Sequence, residues 1–133
     1  MVMLVDTNIF LDLITDDREW GEWSARQLAA AMSSGRVLIN DVINAELSIR
    51  FDDIRRLDAM LVDFDAAPNP MPRQALFDAG KAFRRYRASG GLRTGVLPDF
   101  FIGAHAAVAR LPLLTRDPRR YRAYFPLVEL ITP

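Results

Sequence analysis

The sequence contains no cysteine and a single histidine, His105. The first absence excludes a disulfide framework, a thiolate nucleophile and a thiolate metal site, and makes the cytoplasm the expected compartment. Together the two argue against zinc, whose protein sites draw on cysteine and histidine, and they exclude a two-histidine acid–base nuclease. No long hydrophobic run is present. The opening apolar stretch, Val2 to Val5, is ended by Asp6, far too early for a membrane span or a signal-peptide core. A phosphate-cradling P-loop, a G-x-G-x-x-G turn and the G-x-S-x-G elbow of serine hydrolases are also missing. Lysine is nearly absent, since 16 of the 17 basic residues are arginine.

What remains is an ordinary globular composition with an uneven charge. At 133 residues, half of them hydrophobic and 26% charged, the chain is expected to form one domain, residues 1–133, that buries roughly two-thirds of its unfolded surface. The zero net charge conceals 14 acidic against 7 basic residues in 1–78, and 3 acidic against 10 basic in 79–133.

Strand and helix periodicities alternate along the chain. VMLV, RVLIN, LPLLT and LVELI read as strands. Helices are expected over 7–14, over 16–35, from a cap at Asp41 to about Arg50, and along the stripe Ile54, Leu57, Leu61, Phe64. A long helix carries Leu76, Ala79, Phe83 and Tyr86 and closes at Gly90-Gly91. Pro98 opens PDFFIGAHAAVAR, and PRRYRAYF makes a short last helix. AAPNPMP reads as a proline-rich turn. This alternation predicts an α/β domain with a mainly parallel sheet and helices on both faces.

Four acids are expected to meet at one edge of that sheet. Asp6 follows the first strand and Asp117 follows LPLLT, so both reach the carboxyl ends of strands, where open α/β sheets bind ligands. Asp99 lies in the first turn of the helix that precedes LPLLT. Glu46 lies on a helix face shared with Val42, Ala45 and Ile49, where an acid is rare unless paired or metal-bound. Two carboxylates about 4 Å apart repel by roughly 4 kcal/mol at an effective dielectric near 20. Such a cluster calls for a cation, and oxygen donors alone suit Mg²⁺ or Mn²⁺.

MLVDTNIFLDLI, INDVINAELS, PDFFIGAHA and LLTRD, in this order, resemble the PIN-domain family, and in particular the VapC-type toxins of bacterial toxin–antitoxin pairs. The resemblance spans essentially the whole chain. It implies that Asp6, Glu46, Asp99 and Asp117 form the catalytic set. Asp6, Asp99 and Asp117 are the implied Mg²⁺ or Mn²⁺ ligands, and Thr7, Asn8 and Thr115 buttress them. It further implies a metal-dependent endoribonuclease acting on structured RNA such as tRNA or rRNA, a VapB-like antitoxin as partner, and a homodimer. Arg119 and Arg120 stand where some members carry a further acid, a departure that bears on a second metal.

KAFRRYRASGGLR holds five basic residues and no acid. Arg84, Arg85 and Arg87 are therefore candidates for RNA binding, with Arg116 beside Asp117 as a further contact. His105, by its angle on the helix from Asp99, reads as a packing residue, as do Trp20 and Trp23. Two rival functions exist: a partner-binding module that keeps the fold without catalysis, and a phosphotransfer aspartate enzyme. Against the latter, Asn8 occupies the position where haloacid-type phosphatases need a second aspartate, and the sole lysine, Lys81, lies within a helix.

Overall fold

The computed structural model describes residues 1–93 and 95–133. Among these, five short strands form one sheet: β1 (Met3–Val5), β2 (Val37–Ile39), β3 (Ala66–Pro68), β4 (Leu113–Leu114) and β5 (Leu130–Ile131). The order is β3-β2-β1-β4-β5, and every pairing is parallel. Seven helices connect them: α1 (Thr7–Ile14), α2 (Gly21–Ser34), α3 (Asp41–Ser48), α4 (Ile54–Asp63), α5 (Arg73–Ala88), α6 (Leu97–Ala109) and α7 (Arg119–Tyr124). None of the described helices is long and apolar enough to cross a membrane.

The chain lays β1 down first, builds outward to β3, and then returns through α5 and α6 to place β4 on the other side of β1. At that reversal the carboxyl ends of neighbouring strands part and leave a crevice. Val5 pairs with Leu114, so Asp6 and Thr115 leave the sheet side by side. Leu4, Val5, Ile39, Leu113 and Leu114 are buried, as a sheet covered on both faces requires.

Four expectations need correction. AAPNPMP contains a strand, β3. It is short, and it lies at the sheet edge, where a proline that cannot donate to a ladder is tolerated. Helix α3 is capped by Asn40, whose Oδ1 accepts from the N–H of Ile43, and Asp41 is its first residue. Its core face is Ile43 and Leu47, while Ile49 is 82% exposed. Val42, Ala45 and Glu46 instead line a cleft with Leu97, Pro98 and Phe101. Helix α2 begins at Gly21, because Asp17 Oδ1 first accepts from the N–H groups of Glu19 and Trp20 and holds a turn there. On α5 the buried positions are Ala75, Ala79 and Ala82, and Leu76 is exposed.

His105 packs, as expected. Its ring is buried between Asn40, whose Nδ2 lies 3.0 Å from Nδ1, and Asn69, whose Oδ1 lies 2.8 Å from Nε2. Asn40 is then the donor to Nδ1, so Nε2 carries the proton and donates to Asn69. This link ties the end of β2, the turn after β3 and α6 together. Burial pushes the imidazole pKa below its usual value. Nearby, α6 and the Phe125 ring approach so closely that a Cβ on Gly103 would stand 2.3 Å from a ring carbon.

Candidate active site

Asp6 serves two structural roles at once. It caps α1, its Oδ1 accepting from the Thr7 N–H at 2.8 Å, and it follows β1 where that strand pairs with β4. Its Oδ2 accepts from Thr115 Oγ1 and Tyr121 Oη, each at 2.8 Å, and from Asn8 Nδ2 at 3.3 Å. Four donors on one carboxylate favour the anion. Yet Asp6 is only 4% exposed, and burial, reinforced by the charge of Asp99 and to a lesser extent Glu46, wins. The Asp6 pKa is pushed up to about 7. Among the described residues no arginine or lysine forms an ion pair with it.

Around Asp6, the side chains of Thr7, Asn8 and Thr115 are each engaged in hydrogen bonds. Asn8 Nδ2 also donates to Thr115 Oγ1 at 3.1 Å, and Asn8 Oδ1 accepts from the Arg116 N–H. The Thr7 hydroxyl donates to Glu46 Oε1 at 2.7 Å, which joins α1 to α3. Glu46 is half-buried, and its pKa is raised by burial and by Asp99, against the Thr7 hydrogen bond. Asp99, in the first turn of α6, is likewise raised by burial, although Arg120 donates to its Oδ2 at 2.6 Å.

Asp117 lies further out than these three, but its charge still acts on Asp99 and raises the Asp99 pKa. It is at the rim, paired with the exposed Arg119 at 3.2 Å, and that hydrogen bond lowers its pKa. Its backbone N–H donates to Thr115 Oγ1, so its residue supports the site even while its carboxylate faces outward.

Two residues that sequence reasoning missed are built into the centre. Tyr121 is buried, and its hydroxyl is a donor to Asp6. Asp12 is buried on α1, one turn after Asn8, where it accepts from Ser24 Oγ at 2.7 Å and, on its two oxygens, from Arg116 Nε at 2.8 and 3.0 Å. In that pair the Nε of Arg116 neutralises a buried acid, while the side chain stays partly exposed. Arg84 and Arg87 are exposed on α5, and Arg85 lines a separate cleft with Asp78, Lys81 and Tyr124.

The fit to a hard cation can be judged from this chemistry. Asp6 is a buried carboxylate with donors for both oxygens and no cationic partner, and Asp99 and Glu46 add charge beside it. Among the described residues, however, no three acids are gathered as a ready-made ligand cage. A partial set of oxygen donors suits Mg²⁺, which keeps several of its waters and is held by one or two carboxylates together with substrate phosphate.

The PIN-domain family model matches residues 3–126. The chain belongs to the PIN-domain family. No curated protein matches it in sequence, but solved structures share the fold. VapBC2 from Rickettsia felis, bound to a DNA fragment from its promoter, aligns with a TM-score of 0.74 at 17% identity, covering 100% of this chain and 99% of that one. A toxin–antitoxin complex from Klebsiella pneumoniae gives 0.70 at 23% identity, covering 98% and 97%. FitAcB from Neisseria gonorrhoeae gives 0.70 at 17%, covering 98% and 96%. At these identities the likeness is one of fold. Within this PIN domain, Asp6 and Glu46 both lie near enough to Asp99 for its charge to raise their pKa values.

Proposed function

We propose that the protein is a Mg²⁺- or Mn²⁺-dependent endoribonuclease, the toxin of a VapBC-type pair, acting on structured RNA such as tRNA or rRNA in the cytoplasm. The observation that carries this reading is the uncompensated Asp6: a buried carboxylate given four hydrogen-bond donors and two acidic neighbours but no protein cation. Asp6 and Asp99 would hold the metal, with Asp117 reaching it from the rim. When bound, the metal supplies a Lewis acid for a phosphate oxygen and lowers the pKa of a water.

The remaining chemistry falls to the chain's own groups. Thr115, Tyr121 and Asn8 fix the Asp6 carboxylate in one orientation, so little reorganisation is left for the moment of reaction. Glu46, held by the Thr7 hydroxyl and raised in pKa, orients an attacking water and accepts its proton. Arg120 and Arg119, beside Asp99 and Asp117, offset the repulsion between acids and phosphate. Arg84, Arg85 and Arg87 add long-range attraction for the RNA backbone. A VapB-like antitoxin and a second copy of the chain are the proposed partners, by analogy with the toxin–antitoxin complexes that share the fold.

Thermal melting with and without Mn²⁺, run beside cleavage of a structured RNA with and without EDTA, tests the proposal. Mn²⁺ should stabilise the parent as a ligand of the folded state does, and the Asp6→Asn variant much less. Variant activity should fall by at least ~10²-fold. Cleavage that survives EDTA, or equal Mn²⁺ stabilisation of both proteins, defeats it.

A further inference from the structure

Helix α7 opens with two consecutive arginines that are divided between two of the four acids. Arg119 reaches Asp117 and Arg120 reaches Asp99. The two pairs are unequal. The Arg119 side chain is 88% exposed and that of Asp117 47%, and an ion pair so open to water is worth little. Arg120 donates to Asp99 Oδ2 at 2.6 Å, with the two side chains only 24% and 33% exposed. Salt and solvent screen that contact far less, and a charge-assisted hydrogen bond is among the stronger kinds.

Tyr86 supports Arg120 from another side, its ring centroid 5.8 Å from the guanidinium carbon. The ring is itself packed by Phe83, Phe100 and Tyr124, with centroids at 6.0, 5.5 and 6.1 Å, so the surface beneath the arginine is fixed. Tyr86 and Arg120 also line a cleft of about 350 Å³ together with Arg93, Asp117, Arg119 and Tyr124. The guanidinium can therefore turn away from Asp99 into open space while its stem stays on the aromatic ring.

The acids differ in this respect. Among the described residues Asp6 has no cationic partner, whereas Asp99, proposed as a ligand of the same ion, has a close one. A guanidinium and a hard divalent cation seek the same carboxylate lone pairs, and their positive charges repel across a single carboxylate. Both cannot be fully satisfied at Asp99. We infer that Arg120 is a resident counter-cation of Asp99 that competes with the divalent metal, holding the metal affinity below what the acids alone would give until the arginine turns aside along Tyr86. The inference rests on the metal-nuclease reading and adds to it a regulator of metal loading built into the same chain.

Titration calorimetry of Mn²⁺ into the metal-free protein at about pH 8 tests this without RNA. Arg120→Met keeps an apolar stem against Tyr86 and removes the charge and its donors. Its Mn²⁺ dissociation constant should fall about tenfold below that of the parent, the low end for losing a hydrogen bond between charged groups. Arg122→Ala removes the same charge from an exposed position on α7 and should change the constant by less than about threefold, because a distant exposed charge is screened. Melting supplies a second readout. Without metal Arg120→Met should melt below the parent, since Asp99 loses its partner beside other acids, and saturating Mn²⁺ should narrow that gap. A purely structural arginine would lower both melts alike and leave Mn²⁺ affinity unchanged or weaker. Should Arg120→Met fail to fold, Arg120→Gln, uncharged but still able to donate to Asp99, replaces it with the same expected direction.

Equal or weaker Mn²⁺ binding by a folded Arg120 variant, or an equal gain in Arg122→Ala, overturns the inference, and EDTA-sensitive cleavage by the parent would then leave the nuclease reading intact. Tighter Mn²⁺ binding by the variant with no RNA cleavage by either protein keeps the counter-cation and removes the nuclease. Mn²⁺ binding to neither protein overturns both.

Discussion

At Asp6 hydrogen bonding and burial pull in opposite directions, and the balance is measurable. With its pKa near 7 instead of 3.8, the folded chain binds more protons than the unfolded chain between those values. Metal-free stability contributed by this group is therefore intact below about pH 4 and lost as pH rises through 7, by roughly 4 kcal/mol at most. Asp6→Asn should track the parent at pH 4 and exceed it increasingly toward pH 8, which urea unfolding of both proteins across that range will show. The hydroxyls of Thr115 and Tyr121 can turn to donate or accept, so of the Oδ2 partners only the longer bond from Asn8 Nδ2 is lost to the amide. Glu46→Gln keeps an oxygen for Thr7 and should leave the melting temperature within experimental scatter while lowering cleavage by ~10²-fold or more. A large loss of stability with activity retained would instead mark Glu46 as structural. Asp6 was legible because it ends an apolar run. Glu46 was singled out for a face that proved one residue out of register, since the core takes Ile43 and Leu47 and leaves Glu46 at the cleft. Tyr121 and Asp12 were not legible. Their partners lie 115 and 104 residues away along the chain, and nothing local distinguishes a tyrosine or an acid that finds such a partner.

Among the elements, those with strong local signals were readable and those held by tertiary pairing were not. Helix α1 matched its expected bounds because a cap and an apolar period agree there. Strand β3, an Ala-Ala-Pro segment with little β-propensity, exists because β2 offers it a parallel edge, Val37 against Ala66 through Ile39 against Pro68. The end of α6 carries a local penalty that can be removed. Arg110 adopts φ 55°, ψ 45°, a left-handed conformation costly for a residue with a Cβ, while Leu111 N–H bonds back to the carbonyl of Ala106. Arg110→Gly should raise stability by about 0.5–1 kcal/mol after the greater freedom of glycine in the unfolded chain is counted. Chemical denaturation reads this directly, and a decrease would show that the arginine side chain contributes packing that outweighs its backbone strain.

Across the whole molecule, the acids of the crevice are flanked by arginines from the later half of the chain, which follows the charge division between residues 1–78 and 79–133. Replacing Arg84, Arg85 and Arg87 together with Ala should reduce the salt slope of single-stranded RNA binding by about 2, the release expected for three phosphate contacts, and leave Mn²⁺ stabilisation unchanged. Affinity titrations at several salt concentrations decide it, and an unaltered slope returns these side chains to the solvent. The central position of β1 has a consequence in time. Synthesis makes Asp6 well before Thr115 and Tyr121, which follow 109 and 115 residues later. At about 5–20 residues per second, a growing chain carries the acid for roughly 5–20 s before the groups that orient it have been made. Until β4 slots in beside β1, Asp6 has Glu46 and Asp99 for company but neither Thr115 nor Tyr121 to hold it. The Asp6 carboxylate is thus oriented only once β4 and α7 have been made.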